Sequence, residues 1–287
     1  MGLENFNPKI WSAKLFVRLR KALVFGNIVN TEYEGEISQF GDTVHINEIG
    51  PITVSDYTKY GALSWQALTS AQKTLIIDQA QSFSFAVDDI DTAQMKPKIM
   101  NDAMSEASYA VADKIDQFIA SLYSQAAVVG SAGTVGTSST SLAVSSGNVI
   151  ETISYASRYL SEANVPEALR WIVISPWVHQ KLLLAEVGGV SATAVPKVTT
   201  QDAIPGFVGE ALGFKIYVSN NVSNDGTQYR IMAGIKNAIT YAGQISKVKP
   251  VEREDYFDQG IKGLYLYGGK VVRPNALITL YLSETAG

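Results

Sequence analysis

Residues 36–87 read as one long two-stranded ribbon, and this limits what the chain can be. Val44 and Ile46 alternate with Thr43, His45 and Asn47, and Ile52, Thr53 and Val54 form a second extended run. Leu75, Ile77, Phe83, Phe85 and Val87 then share one face of a strand. The distal end falls near 57–71, around Gly61 and an exposed-looking Trp65. An isolated two-stranded hairpin is marginal in water. One of this length, apolar on one face and aromatic near its tip, must lie on something. It folds back on its own domain or reaches across to another molecule, and the pattern alone leaves both open.

Composition removes several classes of function. The chain has 287 residues, enough for one large or two modest domains. Lys and Arg number 23 against 27 Asp and Glu, a net charge of -4 that argues against a dedicated nucleic-acid binder. Charged residues are 17%, below the roughly 25% of ordinary soluble domains, so part of the surface is expected to be covered by partners. With no cysteine there is no disulfide framework, thiolate metal site or Cys nucleophile. The two histidines, His45 and His179, leave little for imidazole chemistry. The N-terminal residues lack a basic stretch followed by an apolar one, so a secretory signal is not expected. No apolar run approaches the ~18 residues of a membrane span.

Ahead of the ribbon the spacing predicts a basic amphipathic helix. Asn7 suits the N-cap, Pro8 the first helical position and Gly26 the C-terminal stop. Trp11, Leu15, Leu19 and Leu23 make its apolar stripe, with Lys14, Arg18 and Lys21 on another face. Such a helix docks on its own core, on a neighbouring subunit or on a membrane surface. The charge then reverses: residues 31–60 hold Glu32, Glu34, Glu36, Asp42, Glu48 and Asp56 against Lys59 alone.

After the ribbon a long helix is expected. Asp91 and Gln94 resemble a capping box, Pro97 falls in the first turns, and the stripe from Ile99 through Ile115 to Leu122 carries it to about Gln125. Asp102, Glu106, Asp113 and Asp116 crowd its polar side. Residues 117–150 carry no charge, and 130–147 are rich in Gly, Ser and Thr, which suggests a loop or polar hairpin. A compact α/β unit follows: a helix over 148–163, a buried strand over 171–174, and a helix from Pro176 to Gly188 and Gly189. An exposed loop is expected over 188–206, then a strand over 214–218, a turn at 224–226 and a strand over 229–233. Strands are expected over 238–241, 245–251, 261–267, 270–273 and 277–282, with Gly268 and Gly269 as a tight turn. The order of elements is that of an α+β protein.

Chemical motifs are weak. Ser70-Ala71-Gln72-Lys73 matches the S-x-x-K of penicillin-binding enzymes, but a three-residue spacing in a strand turns Ser70 and Lys73 to opposite faces. Gly130, Gly133 and Gly136 resemble a phosphate loop without the following G-K-[ST]. Asp88, Asp89 and Asp91 read better as acids at a helix N-terminus than as a cation site. His179 has no evident catalytic partner, and no metal or cofactor site is expected. A serine hydrolase using Ser70 or His179 is the remote enzymatic alternative.

The segments Ile10-Trp11-Ser12-Ala13, Lys21-Ala22-Leu23-Val24-Phe25, Tyr33-Glu34-Gly35-Glu36-Ile37 and Gly41-Asp42-Thr43-Val44 stand in a distinctive order. With Gln79-Ala80 and the run from Phe83 to Asp91 they cover the first third of the chain, and together they resemble the major capsid proteins of tailed phages. The likeness is to the Hong Kong 97 fold, in the coat-protein branch typified by the Salmonella phage. It implies an N-arm over 1–35, an E-loop over 36–87, a P-domain over 88–127 and 236–287 with a long spine helix, and an A-domain with the loop leading into it over 128–235. The implied function is a non-enzymatic coat subunit that self-assembles, as hexamers and pentamers, into an icosahedral shell around a double-stranded DNA genome. The shell would form in the bacterial host cytoplasm and end in the virion. Scaffolding and portal proteins are the implied partners, with a decoration protein as a further one, weak non-specific DNA contact and no membrane. An encapsulin-like shell around enzyme cargo is the alternative on the same fold. Inter-subunit contacts are expected from Trp11, Lys14, Leu15, Arg18 and Lys21 of the arm, from Tyr57, Tyr60, Leu63, Trp65 and Leu68 of the ribbon, and from Asp102, Glu106, Asp113 and Asp116 of the spine.

Overall fold

The computed structural model describes residues 21, 23–32, 43–49, 52–54, 56, 59–60, 65–67, 70–88, 99–128, 130–187, 206–252 and 258–284. The helix expected over 7–26 therefore falls largely outside the described residues, as do the capping box at 91–94 and the loop over 188–205. Where that helix was expected to end, Lys21, Leu23 and Val24 are not helical. A single turn, α1 (Phe25–Ile28), follows instead, with Phe25 and Ile28 buried. Gly26 lies inside this turn rather than ending a helix, and its N–H reaches the Asp116 carboxylate at 3.2 Å.

The ribbon is shorter than its periodicity suggests. Strands β1 (Thr43–Ile49) and β2 (Ser70–Ile76) pair antiparallel, from Thr43 opposite Ile76 to Ile49 opposite Ser70. The second strand then breaks at Ile77 and Asp78. Its continuation, β3 (Gln79–Asp88), joins a different sheet, pairing with β11 (Asp258–Val271), which pairs in turn with β10 (Ile239–Glu252). Alternation is the same on both sides of the break, so it reports a strand without reporting the partner.

Gly268 and Gly269 do not form the expected turn. Strand β11 runs straight through them, and β10 likewise joins the two short strands expected there, with an irregularity between Ile245 and Lys247. Gly268 is there for close approach: a Cβ would stand 2.2 Å from the Ile76 carbonyl oxygen. The broken strand thus crosses directly over β11.

The three-stranded sheet is covered on both faces near the body. On one face Ala242 and Leu266, with Leu264, pack under Val44, Leu75 and Ile77 of the ribbon foot. On the other lies the spine helix, α2 (Ile99–Ser121), extended by a 3-10 turn over Leu122–Gln125, where the stripe was expected to stop. Phe118 meets Tyr267 edge-on at 5.1 Å between ring centroids.

The larger unit is a seven-stranded mixed sheet built from β4 (Leu142–Val144), β5 (Arg170–Ile174), β6 (Phe207–Ala211), β7 (Phe214–Val218), β8 (Ser223–Asn224), β9 (Tyr229–Ile235) and β12 (Leu277–Glu284). The spatial order is β4-β12-β9-β5-β7-β6, with β8 beside β9. All of β5 is buried, and after Arg170 its residues 171–174 are a continuous apolar run, as suits a central strand. Helices α3 (Val149–Glu162) and α4 (Pro176–Val187) pack on this sheet, where Ile153, Ile172, Val178, Ile231 and Leu280 meet in one core. The chain passes between the sheets at Lys236–Ala238 and returns at Pro274–Ala276. The N–H groups of Val272 and Arg273 both donate to the Ala238 carbonyl, at 2.9 and 3.2 Å, and tie the two crossings together.

Candidate functional site

The described part of the ribbon has two unlike halves. At its foot Val44, Leu75 and Ile77 are buried. Toward the tip Tyr60 is 91% and Trp65 95% exposed, and Ile52 and Val54 are exposed beside them. The backbone of Tyr60 is left-handed, at φ 67°. Thr53 N–H donates to the Gln66 side chain at 2.9 Å across the two arms of the tip. Tyr57, Leu63 and Leu68 lie outside the described residues. Single exposed apolar side chains are ordinary; several together on a projecting ribbon mark an interaction surface.

The second locus is where the arm leaves the body. Lys21 N–H donates to the Tyr109 hydroxyl at 2.7 Å, and its Nζ donates to Asn221 Oδ1 at 3.1 Å and lies 3.5 Å from Asp113 Oδ2. Asn221 Nδ2 donates to Asp113 at 2.8 Å and to Asp116 at 3.0 Å. Asp116 is 1% exposed. Burial pushes its carboxyl above the usual range, against the opposing hydrogen bonds from Asn221 and from the Gly26 and Phe25 N–H groups. For Lys21, Asp113 and Asp116, expected as contacts between subunits, the structure supplies partners inside the chain. The cause is local: α1 buries Phe25 and Ile28 beside the spine and brings Lys21 within reach of it. Trp11, Lys14, Leu15 and Arg18 lie outside the described residues. Glu106 is half-buried on the spine, and Asp102 belongs to the same helix.

The chemical motifs have structural explanations. Lys73 Nζ donates to the Val272 carbonyl at 2.6 Å, so the S-x-x-K lysine is engaged in fastening the ribbon. Gly136, at φ +75°, lets the 130–142 loop close on β12, where a Cβ would stand 2.1 Å from the Tyr281 oxygen. His179 is half-buried on α4, and burial lowers its pKa. Among the described residues no group of three His, Asp or Glu is arranged to hold a metal, and no helix is long and apolar enough to cross a membrane.

Several structural residues escaped the sequence. Arg170 is 1% exposed without a carboxylate within bonding range among the described residues. Its guanidinium donates to the carbonyls of Pro166 (3.0 Å), Ser157 (3.2 Å) and Val165 and to the Ser161 hydroxyl (3.1 Å). Asn221 and Lys270 likewise act through partners about a hundred or more positions away. No local pattern announces such contacts.

The chain thus combines a ribbon with exposed apolar side chains near its tip, a spine helix packed on a three-stranded sheet and a seven-stranded mixed sheet. The phage capsid protein family model matches residues 70–280, and the chain belongs to that family. Among solved structures it is similar to a chain of Mycobacterium phage Che8, at 30% identity and TM-score 0.73, over 97% of this chain and 98% of that one. The capsid of cyanophage P-SCSP1u matches at 18% identity and TM-score 0.71, over 99% and 95% of the two chains. The capsid of Ralstonia phage GP4 matches at 14% and 0.72, over 100% and 98%. A comparison with curated protein sequences gives no match. The fold is that of Hong Kong 97-like phage capsid proteins, and the chain is a phage major capsid protein that assembles with copies of itself in the virion capsid.

Proposed function

We propose that this subunit builds an icosahedral shell of hexamers and pentamers around double-stranded DNA, without catalytic activity. The carrying observation is the contrast along the ribbon: a buried foot, and a tip with Trp65 95% exposed. On this reading the tip covers its apolar surface on an adjacent subunit. Repetition over a closed shell makes many modest interfaces jointly stable.

The proposed division is N-arm 1–35, E-loop 36–87, P-domain 88–127 and 236–287, and A-domain 128–235. Strand β12 is then the P-domain segment that enters the larger sheet beside β9. Trp11, Lys14, Leu15 and Arg18 of the arm, Tyr57, Tyr60, Leu63, Trp65 and Leu68 of the ribbon, and Asp102 and Glu106 of the spine are proposed contacts between copies. Lys21, Asp113 and Asp116 are proposed to fix where the arm departs. Assembly in the bacterial cytoplasm, with scaffolding and portal proteins and a decoration protein, completes the reading.

Deleting 61–68 tests it. The expected result is a folded subunit that no longer yields shells by electron microscopy. Shells of normal yield from the deletion variant would defeat the ribbon's role, and wild-type particles filled with protein cargo instead of DNA would defeat the genome-shell reading.

A further inference from the structure

The loop that follows the spine helix closes on β12 around a cavity. Val128 N–H donates to the Leu277 carbonyl at 3.4 Å, and Tyr281 N–H donates to the Val135 carbonyl at 2.8 Å. Beside Thr279, between these two anchors, lies a cavity of about 140 Å³. Val128, Gly136 and Ser138 of the loop line it, with Tyr123 from the end of the spine and Thr279 and Tyr281 from β12. Its walls are tied in place. The Thr134 and Tyr159 hydroxyls meet at 3.0 Å, Gln228 Nε2 donates to the Thr137 carbonyl at 3.2 Å, and the Thr279 hydroxyl donates to the Tyr123 carbonyl at 2.9 Å. The Tyr123 and Tyr281 rings stand 6.3 Å apart between centroids and at 84° to each other, which makes an aromatic corner. Both residues are half-buried, yet neither hydroxyl has a hydrogen-bond partner among the described residues. Burial holds the Tyr281 phenol above its usual pKa, so it stands there as a neutral donor. Arg230 lies over the Tyr123 ring, 5.1 Å from its centroid, and pairs with Asp225 at 2.7 Å, so the nearby charge is balanced.

We propose that this cavity is a binding site for one small, neutral, planar ring bearing a carbonyl group, seated in the corner of Tyr123 and Tyr281 with the carbonyl accepting from their hydroxyls. Size, shape and polarity each select that class. A cavity of about 150 Å³ is enough for a benzene-sized ring. Two phenol rings near a right angle let a third ring stack on one and meet the other edge-on, the arrangements aromatic groups prefer. Half-buried hydroxyls without partners call for an acceptor, since buried polar groups are as a rule hydrogen-bonded. With Arg230 already neutralised by Asp225, a charged ligand finds no counter-charge and would lose its hydration on entry. The glycine spacing at 130, 133 and 136, which resembles a phosphate loop in sequence, thus frames a neutral site. Because the loop is held closed by its own hydrogen bonds, binding does not have to order it. The site lies within one subunit and is independent of shell assembly.

The test uses benzamide as the probe, titrated into the full-length unassembled subunit and followed by ligand-observed NMR. Saturable binding is expected, and the double variant Tyr123→Phe/Tyr281→Phe, which keeps both rings and removes both hydroxyls, should weaken it about tenfold. Ala126 also lines the cavity, and Ala126→Leu fills it; this variant is expected to lose benzamide binding while its thermal midpoint stays the same or rises. Benzoate and benzylamine, charged relatives of the probe, should bind at least about fivefold more weakly than benzamide. Absence of saturable benzamide binding to the wild type overturns the inference and leaves the cavity to solvent. Unchanged binding by the double tyrosine variant overturns it as well, by placing the probe elsewhere, and decides the matter even where Ala126→Leu fails to fold. Benzoate or benzylamine binding as tightly as benzamide overturns the assignment of a neutral ligand.

Discussion

Lys73 and Lys270 cross-brace the foot of the ribbon. Lys73 Nζ donates from β2 to the Val272 carbonyl at 2.6 Å, and Lys270 Nζ donates from β11 to the Thr74 carbonyl at 2.9 Å. The two bonds run in opposite directions across one junction, so each holds the geometry of the other. Lys73→Met and Lys270→Met are each expected to cost about 1–2 kcal/mol, as lost hydrogen bonds from charged donors. The double variant should depart from additivity by about 0.5 kcal/mol or more, as contacts sharing one junction do. Urea denaturation of the unassembled subunit measures both, and strict additivity would show two independent braces.

Gly268→Ala tests the crossing of the broken strand over β11. The added methyl would meet the Ile76 carbonyl at 2.2 Å, against backbone that cannot swing aside. A loss of about 1–3 kcal/mol is expected, typical of overpacking. At Gly269 the neighbours are side chains, Phe118 at 3.0 Å and Leu122 at 3.3 Å, and Gly269→Ala should cost less. Equal thermal shifts for the two variants would contradict the strand crossing.

Asp116 gives the junction of arm and spine a pH signature. Its folded pKa is raised by burial, so the folded state takes up this proton before the unfolded state does. The resulting stabilisation is complete below the ordinary carboxylate value of about 3.9 and is lost as pH rises through the raised folded value. Wild type should therefore improve relative to Asp116→Asn as pH falls from neutrality, which urea midpoints over a pH series will show. At neutral pH Asp116→Ala should cost about 1–3 kcal/mol, since the Gly26 N–H and the Asn221 amide lose a buried acceptor.

Arg170 is a packing element made of hydrogen bonds. Lysine keeps the charge but cannot reproduce a planar fork that reaches Pro166, Ser157, Ser161 and Val165 together. Arg170→Lys is expected to lose about 2 kcal/mol or more, because three carbonyls, that of buried Val165 among them, and a hydroxyl lose donors at once. The readout is thermal unfolding together with hydrogen exchange of the 163–170 loop; unchanged exchange there would refute the role.

Trp65→Ala separates folding from association. A side chain 95% exposed contributes little to the subunit, so its stability should be unchanged within about 0.5 kcal/mol. Assembly should weaken as for loss of an aromatic anchor, about 2 kcal/mol per contact. Light-scattering assembly curves at several concentrations provide the comparison, and unaltered curves would remove Trp65 from the interface.

Local order was legible wherever periodicity and end signals agreed. The spine stripe from Ile99 to Leu122, the helix begun by Pro176 and the strand at 214–218 all appear in the structure close to where spacing put them. Glycine is less legible, because one residue type serves opposite ends. Gly268 looked like a turn and is a point of contact between strands; Gly26 looked like a helix stop and lies inside a turn that feeds Asp116. Strand β6 was not expected at all, since Gly209 and Glu210 interrupt the apolar alternation.

Alternation and charge pattern, which are properties of neighbours along the chain, were enough to establish an apolar ribbon, a long acidic helix and an α+β order. Partnership was not written there. That Leu75 is roofed onto Leu266, that β3 leaves the ribbon for β11, and that Lys21 meets Asp113 of its own chain each depend on residues far apart along the chain. Periodicity reports that a face is buried; only the folded chain decides what covers it, because that choice is made by shape and distance among residues that local sequence cannot relate.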